Sequence, residues 1–176
     1  MGERIAIDIS GSKEVSLGGK RYAQVKLDYG SNKMFVSFLK RKSEGVSDMM
    51  KFLKKMKKER KKLPRYIRMD RSGENMKFKE ECEEKYPEIK FELTAKDTPQ
   101  QNGKVERAIA TIWDRLRSMM HDAGVPKSIK KKLWAEAFMM AVQWWNVTVK
   151  NGEEESPEVR WSGTIPRWTK DLKAFG

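Results

Sequence analysis

Within the first 39 residues a period-two hydrophobic pattern occurs three times in succession, and this restricts the fold more than any other feature of the chain. Ile5, Ile7 and Ile9 alternate with Ala6 and Asp8, and residues 22–27 and 34–39 continue the pattern. Gly11 and the pair Gly18-Gly19 supply turn chemistry after the first segment, and Asp28-Tyr29-Gly30-Ser31-Asn32 supplies it after the second. Three strands joined by tight reversals pair antiparallel.

The period then changes. From Ser43-Glu44 onward, Val46, Met49, Met50, Leu53 and Met56 recur at spacings of three and four, which predicts an amphipathic helix ended by Pro64. A short strand over 65–70, an acidic helix over 76–85 and a strand over 89–93 follow, closed by a loop over 94–103. Strands that alternate with helices favour parallel pairing through right-handed crossovers. The expectation is therefore an α/β fold: a five-stranded mixed sheet, three antiparallel strands then two parallel, flanked by helices. A long helix over 104–122 carries Val105, Ala108, Ile109, Ile112, Leu116, Met119 and Met120 on one stripe. Gly124-Val125-Pro126 breaks it before a second helix with Leu133, Ala137, Ala141 and Trp144/Trp145 on its inner face. Residues 1–150 are expected to form the core, and 151–176 an extension that packs on it or trails from it, with Trp161, Trp168 and Phe175 returning to the body.

Composition narrows the chemistry. Cys82 is the only cysteine and His121 the only histidine, so neither an intramolecular disulfide nor a Cys/His zinc site is available, and a reducing compartment fits best. His121 is expected only to complement a helix C-terminus. No apolar run approaches the roughly 20 residues that span a bilayer, and Met1-Gly2-Glu3-Arg4 leads into a strand rather than a signal peptide, so no membrane or export role is expected. Catalysis would rest on carboxylates, and any metal would prefer hard oxygen ligands.

Three carboxylates stand out by position: Asp8 in the first strand, Asp70 closing the fourth, and Glu106 in the first turn of the long helix. Function in open α/β sheets gathers at such places. If the three meet, their charges repel unless divalent cations lie between them, and two such ions suit in-line phosphoryl transfer. Spacing does not decide the matter. With 25 acidic residues some such triple is expected, Asp8 reads equally well as a strand-end turn former, and Glu106 as a partner of the helix dipole.

The run Thr98-Pro99-Gln100-Gln101-Asn102-Gly103-Lys104-Val105-Glu106-Arg107 resembles the signature around the last catalytic carboxylate of copia-type LTR-retrotransposon integrases. Asp70 stands 36 positions before Glu106, leaving the 35 intervening residues of the retroviral-type pattern. Tyr66-Ile67-Arg68-Met69-Asp70 with Gly73-Glu74 is similar to the family's second-Asp motif, and Ile7-Asp8-Ile9-Ser10 with Gly18-Gly19-Lys20-Arg21-Tyr22 to its first. Phe38-Leu39-Lys40-Arg41-Lys42-Ser43-Glu44, Leu133-Trp134-Ala135-Glu136-Ala137 and the segment 156–176 extend the likeness over nearly the whole chain. Arg71 stands where the family usually has Asn, and Asp28 beside Tyr29 where it commonly has an acidic pair.

The resemblance implies a ribonuclease H-like catalytic core in which Asp8, Asp70 and Glu106 bind two Mg²⁺ (or Mn²⁺) ions. It further implies an activity that processes the 3′ ends of element DNA and joins them to target DNA without a covalent enzyme intermediate. The chain is expected to be an isolated catalytic core, lacking the family's zinc-binding and basic flanking regions. One alternative is an inactive or domesticated DNA-binding or interaction domain of the same fold; a weaker one is a structure-selective nuclease.

Residues 51–68 hold ten basic side chains and one acidic, a net of +9 out of the chain's +13. DNA is the natural counter-charge. Lys54 and Lys58 are candidate contacts, against an even reading as the solvated face of an amphipathic helix; residues 54–62 would equally serve as a nuclear import signal. Asn102, Lys104 and Arg117 are the expected DNA contacts of the carboxylate groove, Arg107 an exposed charge, and Trp113, Trp134, Trp144 and Trp145 core. A homo-oligomer, dimer or higher, through helices 46–56 and 133–145 is expected by analogy, together with a possible host tethering protein. The expected site of action is the nucleus, after a cytoplasmic particle.

Overall fold

The computed structural model of the chain describes residues 1–94 and 99–171, with the side chains of 99–102, 127, 170 and 171 outside the described set. Three strands open it, β1 (Arg4–Gly11), β2 (Tyr22–Asp28) and β3 (Met34–Leu39), followed by α1 (Glu44–Arg60), β4 (Tyr66–Asp70), α2 (Gly73–Lys85) and β5 (Lys90–Thr94). Then come α3 (Pro99–Asp122), α4 (Lys127–Lys130), α5 (Trp134–Val147), α6 (Pro157–Ser162) and a 3₁₀ turn at Arg167–Asp171. The sheet runs β3-β2-β1-β4-β5, antiparallel across β3/β2/β1 and parallel across β1/β4/β5, the mixed sheet expected from the change of period.

The pleat sends alternate residues to opposite faces, and each face has its own core. Ile5, Ile7, Ile67 and Met69 join Met49 and Leu53 of α1 and Phe78 and Cys82 of α2. On the other face Ala6, Val25 and Leu27 pack against Val105, Ile109, Ile112 and Leu116 of α3 and Ala137, Phe138, Ala141 and Trp145 of α5. The inner stripe of α5 is therefore used by the chain's own core. Trp134 and Trp145 are buried, as the core reading expects, and Trp113 packs against that core with its Nε1 donating to Ser10 Oγ at 2.8 Å, whereas Trp144 is only half-buried and outside both core clusters.

Three boundaries differ from the sequence reading. α2 starts at Gly73, not 76, because Ser72 adopts extended backbone at the cap and its carbonyl accepts from Met76 N. α3 starts at Pro99, inside the stretch read as loop; its first residues, Pro-Gln-Gln-Asn-Gly, have turn-like composition, yet proline is well suited to the first helical position. The single helix expected after Pro126 is two, interrupted at 131–133, where the Lys132 carbonyl accepts from Leu17 N in the β1–β2 connection.

In the extension, Ser156 Oγ accepts from Val159 N at the start of α6, and Glu158 pairs with Lys33 at 2.6 Å. Trp161 meets Phe35 edge-on with ring centroids 5.1 Å apart and lies under the Arg60 guanidinium. Trp168 is 40 % exposed, and Phe175 lies outside the described residues. Among the described residues no helix is long and apolar enough to cross a membrane.

Candidate active site

The sheet register brings the carboxylates together. Arg4 pairs with Tyr66, Ile5 with Ile67 and Ala6 with Arg68 across the parallel β1/β4 ladder. Continued two residues, that register sets Asp8 level with Asp70 on adjacent strands, which run about 4.8 Å apart. Ile7 and Met69 belong to the α1/α2 core, so the alternation turns Asp8 and Asp70 to the opposite face, the one covered by α3. Glu106 comes from α3 itself. It is the eighth residue of that helix rather than part of its first turn, so the helix-dipole explanation of its position does not hold.

The electrostatics agree with this placement. Burial, with the charges of Asp70 and then Glu106, raises the Asp8 carboxyl above its ordinary value, opposed by a hydrogen bond from Ile9 N (2.7 Å to Oδ1) and by the Lys42 ammonium. Asp70 Oδ1 accepts from Asn75 Nδ2 at 2.5 Å and from Ser72 N at 3.1 Å. Glu106 is exposed and makes no ion pair among the described residues. Nor is any group of three His, Cys, Asp or Glu side chains among them gathered closely enough to hold a metal ion as it stands. The donor set nonetheless fits a hard divalent cation: all-oxygen ligands, of which Asp8 is desolvated and lies within reach of the charges of the other two.

The expected DNA contacts are dispersed. The side chain of Asn102 lies outside the described residues. Lys104 sits about 200° round α3 from Glu106, and its ammonium donates to Tyr29 O at 3.1 Å over the Tyr29 ring, away from the carboxylates. Arg117 is exposed on the Glu106 side of α3 and paired with Asp114. Lys54 and Lys58 project from α1, on the face of the sheet opposite the carboxylates. They belong to a different surface from the carboxylate groove.

One supporting residue escaped the sequence reading, and another, Asp28, takes the turn position read for it. Asn75 is 7 % exposed and holds Asp70; its only signal was an amide five positions after Asp70, in the first turn of α2. Asp28 is fully buried and accepts from Gly2 N, Ser31 N and Ser31 Oγ at 2.6–2.8 Å, so it fixes the β2–β3 turn rather than joining the cluster.

No family model matches the chain. It is similar to the retrovirus-related Pol polyprotein from transposon TNT 1-94 of Nicotiana tabacum, with 33 % identity over 180 aligned residues that cover 96 % of this chain. The chain spans only 12 % of that relative's length. Among solved structures, the catalytic core of bovine immunodeficiency virus (BIV) integrase superposes with a TM-score of 0.63 at 15 % identity, covering 98 % of this chain and 100 % of that one. The HTLV-2 integrase catalytic core in complex with magnesium gives 0.61 at 20 % identity, over 91 % and 94 %. A simian T-cell lymphotropic virus intasome in complex with the PP2A regulatory subunit B56 gamma gives 0.67 at 17 %, over 94 % and 55 %. At these identities the structural likeness bears on the fold.

Proposed function

The chain belongs to the copia-type retrotransposon Pol family and has the integrase catalytic-core fold, and from that premise we propose that it is a two-metal polynucleotidyl transferase. Its reactions are 3′-end processing of element DNA and strand transfer into target DNA. The observation that supports this is that β1 pairs with β4 up to Ala6 and Arg68, two residues short of Asp8 and Asp70, and that Asp8 feels the charges of both Asp70 and Glu106.

Asp8, Asp70 and Glu106 would hold Mg²⁺ or Mn²⁺, which supplies charge neutralisation at the scissile phosphate and polarises the attacking hydroxyl. The chain's own groups position those ligands. Ile9 N fixes one Asp8 oxygen, and Asn75 and Ser72 fix Asp70 from the start of α2. The Trp113–Ser10 hydrogen bond ties α3 to β1 two residues beyond Asp8, and so sets the height of Glu106 over the sheet. Arg117, on the same side of α3, offers a phosphate contact once released from Asp114.

Self-association and a host tethering protein belong to the same proposal, as does action on chromosomal DNA in the nucleus. HTLV-2 cores are known in dimeric and trimeric forms, and the simian virus intasome in complex with a PP2A subunit.

The experiment supplies Mn²⁺ and a branched DNA that mimics a joined element end, and follows cleavage and resealing by the unaltered chain and by Glu106→Gln. Activity in the first and none in the second, with folding and DNA binding retained in both, supports the reading. Equal activity in the two would refute it.

A further inference from the structure

On the flank of α3 turned away from the carboxylates lies a cleft of about 240 Å³. Lys104, Arg107, Ala108 and Thr111 line it from α3, Trp145 from α5 and Lys150 from the segment beyond. The tryptophan is a fixed wall: its Nε1 donates to Asn32 O at 2.8 Å, and the Lys150 ammonium lies on its ring face, 3.2 Å from the centroid. Arg115 approaches the same ring at 5.7 Å.

The charge balance around this cleft is one-sided. Lys104, Arg107, Arg115, Lys150 and Arg160 converge, and the acidic groups in reach are already committed. Glu153 is bonded to Arg160, and Asp28 is buried among its own donors. Arg107, Arg115 and Lys150 make no ion pair among the described residues, and Arg160 keeps Nε and Nη2 buried without a hydrogen-bond partner. Burial, with the like charges of Arg115, Lys104 and Arg160, lowers Lys150 to about 8 against the opposing pull of Glu153. Lys104, Arg115, Lys150 and Arg160, part-buried and held together against their own repulsion with the exposed Arg107 at the rim, form a site prepared for a polyanion.

We infer that this cleft binds phosphate groups, independently of the carboxylate site, through Lys104, Arg107 and Lys150 with Arg115 and Arg160 behind them. The phosphates come either from a DNA backbone crossing this flank of α3 or from a free oligophosphate. Guanidinium and ammonium groups suit both, and the aromatic wall keeps the ammonium of Lys150 at the mouth.

The test is calorimetric titration of the chain with inorganic tripolyphosphate at pH 8, in chelator so that the carboxylates take no part, in two buffers of different ionisation heat. Saturable binding is expected, with uptake of about half a proton by Lys150 as the anion restores its charge. Lys150→Gln should lose that uptake and weaken binding roughly tenfold, the loss expected from one charge-assisted hydrogen bond. Lys150→Arg should keep the affinity and lose only the uptake, and Lys85→Gln on α2 should behave as the unaltered chain. A 20-base-pair duplex in the same chelator separates the sources. If DNA is the occupant, Arg115→Gln and Lys150→Gln weaken duplex binding and tripolyphosphate competes with it; if a free oligophosphate is, duplex affinity does not change. Tripolyphosphate that fails to saturate, or that binds the unaltered chain and Lys150→Gln alike, would overturn the inference.

Discussion

Asp48→Ala should destabilise the fold far more than a surface ion pair would. Lys26 of β2 is 1 % exposed, and its buried ammonium donates to Ser37 Oγ at 2.8 Å and pairs with Asp48 of α1. Burial pulls Lys26 below the usual lysine range, and the Asp48 charge pulls it back. Deleting Asp48 strands an ammonium with one neutral acceptor, a loss of about 3–5 kcal/mol for a buried charge without its partner. Because Asp48 is itself 23 % exposed, the low end applies. About 3 kcal/mol lowers Tm by roughly 6–12 °C in a chain of this size.

The companion variants separate this cause from simple loss of packing. Lys26→Met leaves Asp48 able to reach water and should cost under about 1.5 kcal/mol, and the double variant should recover most of what Asp48→Ala loses. The pH dependence has a fixed sign. A lysine whose folded pKa lies below its unfolded value binds fewer protons when folded, so stability rises with pH from the folded pKa up to about 10.4. Asp48→Ala lowers that folded pKa further and widens the window, so the variant should gain on the unaltered chain as pH rises from 7 to 10. Urea unfolding followed by circular dichroism across that range measures both effects. A loss below 1 kcal/mol for Asp48→Ala, or a double variant no better than the single, would refute the reasoning.

Other expectations concern the carboxylate site and the basic helix. Asp8→Asn should raise the Tm of the metal-free chain, since the raised carboxyl means that its charge opposes folding at neutral pH; it should also abolish stabilisation by Mn²⁺, both read by thermal melts with and without the ion. Asn75→Ala should raise the half-saturating Mn²⁺ concentration of the branched-DNA reaction by about 10-fold or more, the usual effect of removing a group that orients a ligand, while a shift under twofold would deny Asn75 that role. Lys54→Gln with Lys58→Gln should reduce the slope of log affinity against log salt by about 1.8 on duplex DNA if both neutralise phosphates, and leave it unchanged if they are only the solvated face of α1.

Alternation carried most of the fold. Ile5, Ile7 and Ile9 against Ala6 and Asp8 specify not only a strand but which side chains share a face, and the same parity in β4 puts Asp70 with Asp8. The register that aligns the two is nonlocal, as is the crossing of α3 over both strands. Sequence spacing therefore nominated Asp8, Asp70 and Glu106 without deciding between their assembly and the local roles open to Asp8 and Glu106. One of those roles depended on a boundary: Glu106 read as a helix start only while Pro99 to Gly103 read as loop, and local composition is a weak guide to where a helix begins.

The basic residues show the opposite case. Lys54 and Lys58 lie in a conspicuous run, 10 cations in 18 residues, yet α1 carries them to the far side of the sheet from the carboxylates. The cleft cations come from positions 104, 107, 115, 150 and 160, no two adjacent, and three elements must pack before their charges add. Charge density along a sequence measures how strongly a segment attracts polyanions. Charge density in a folded site depends on how many separate segments bring cations under a common low-dielectric wall, and the depressed proton affinity of Lys150 beside Trp145 is a property of that arrangement which no window of sequence contains.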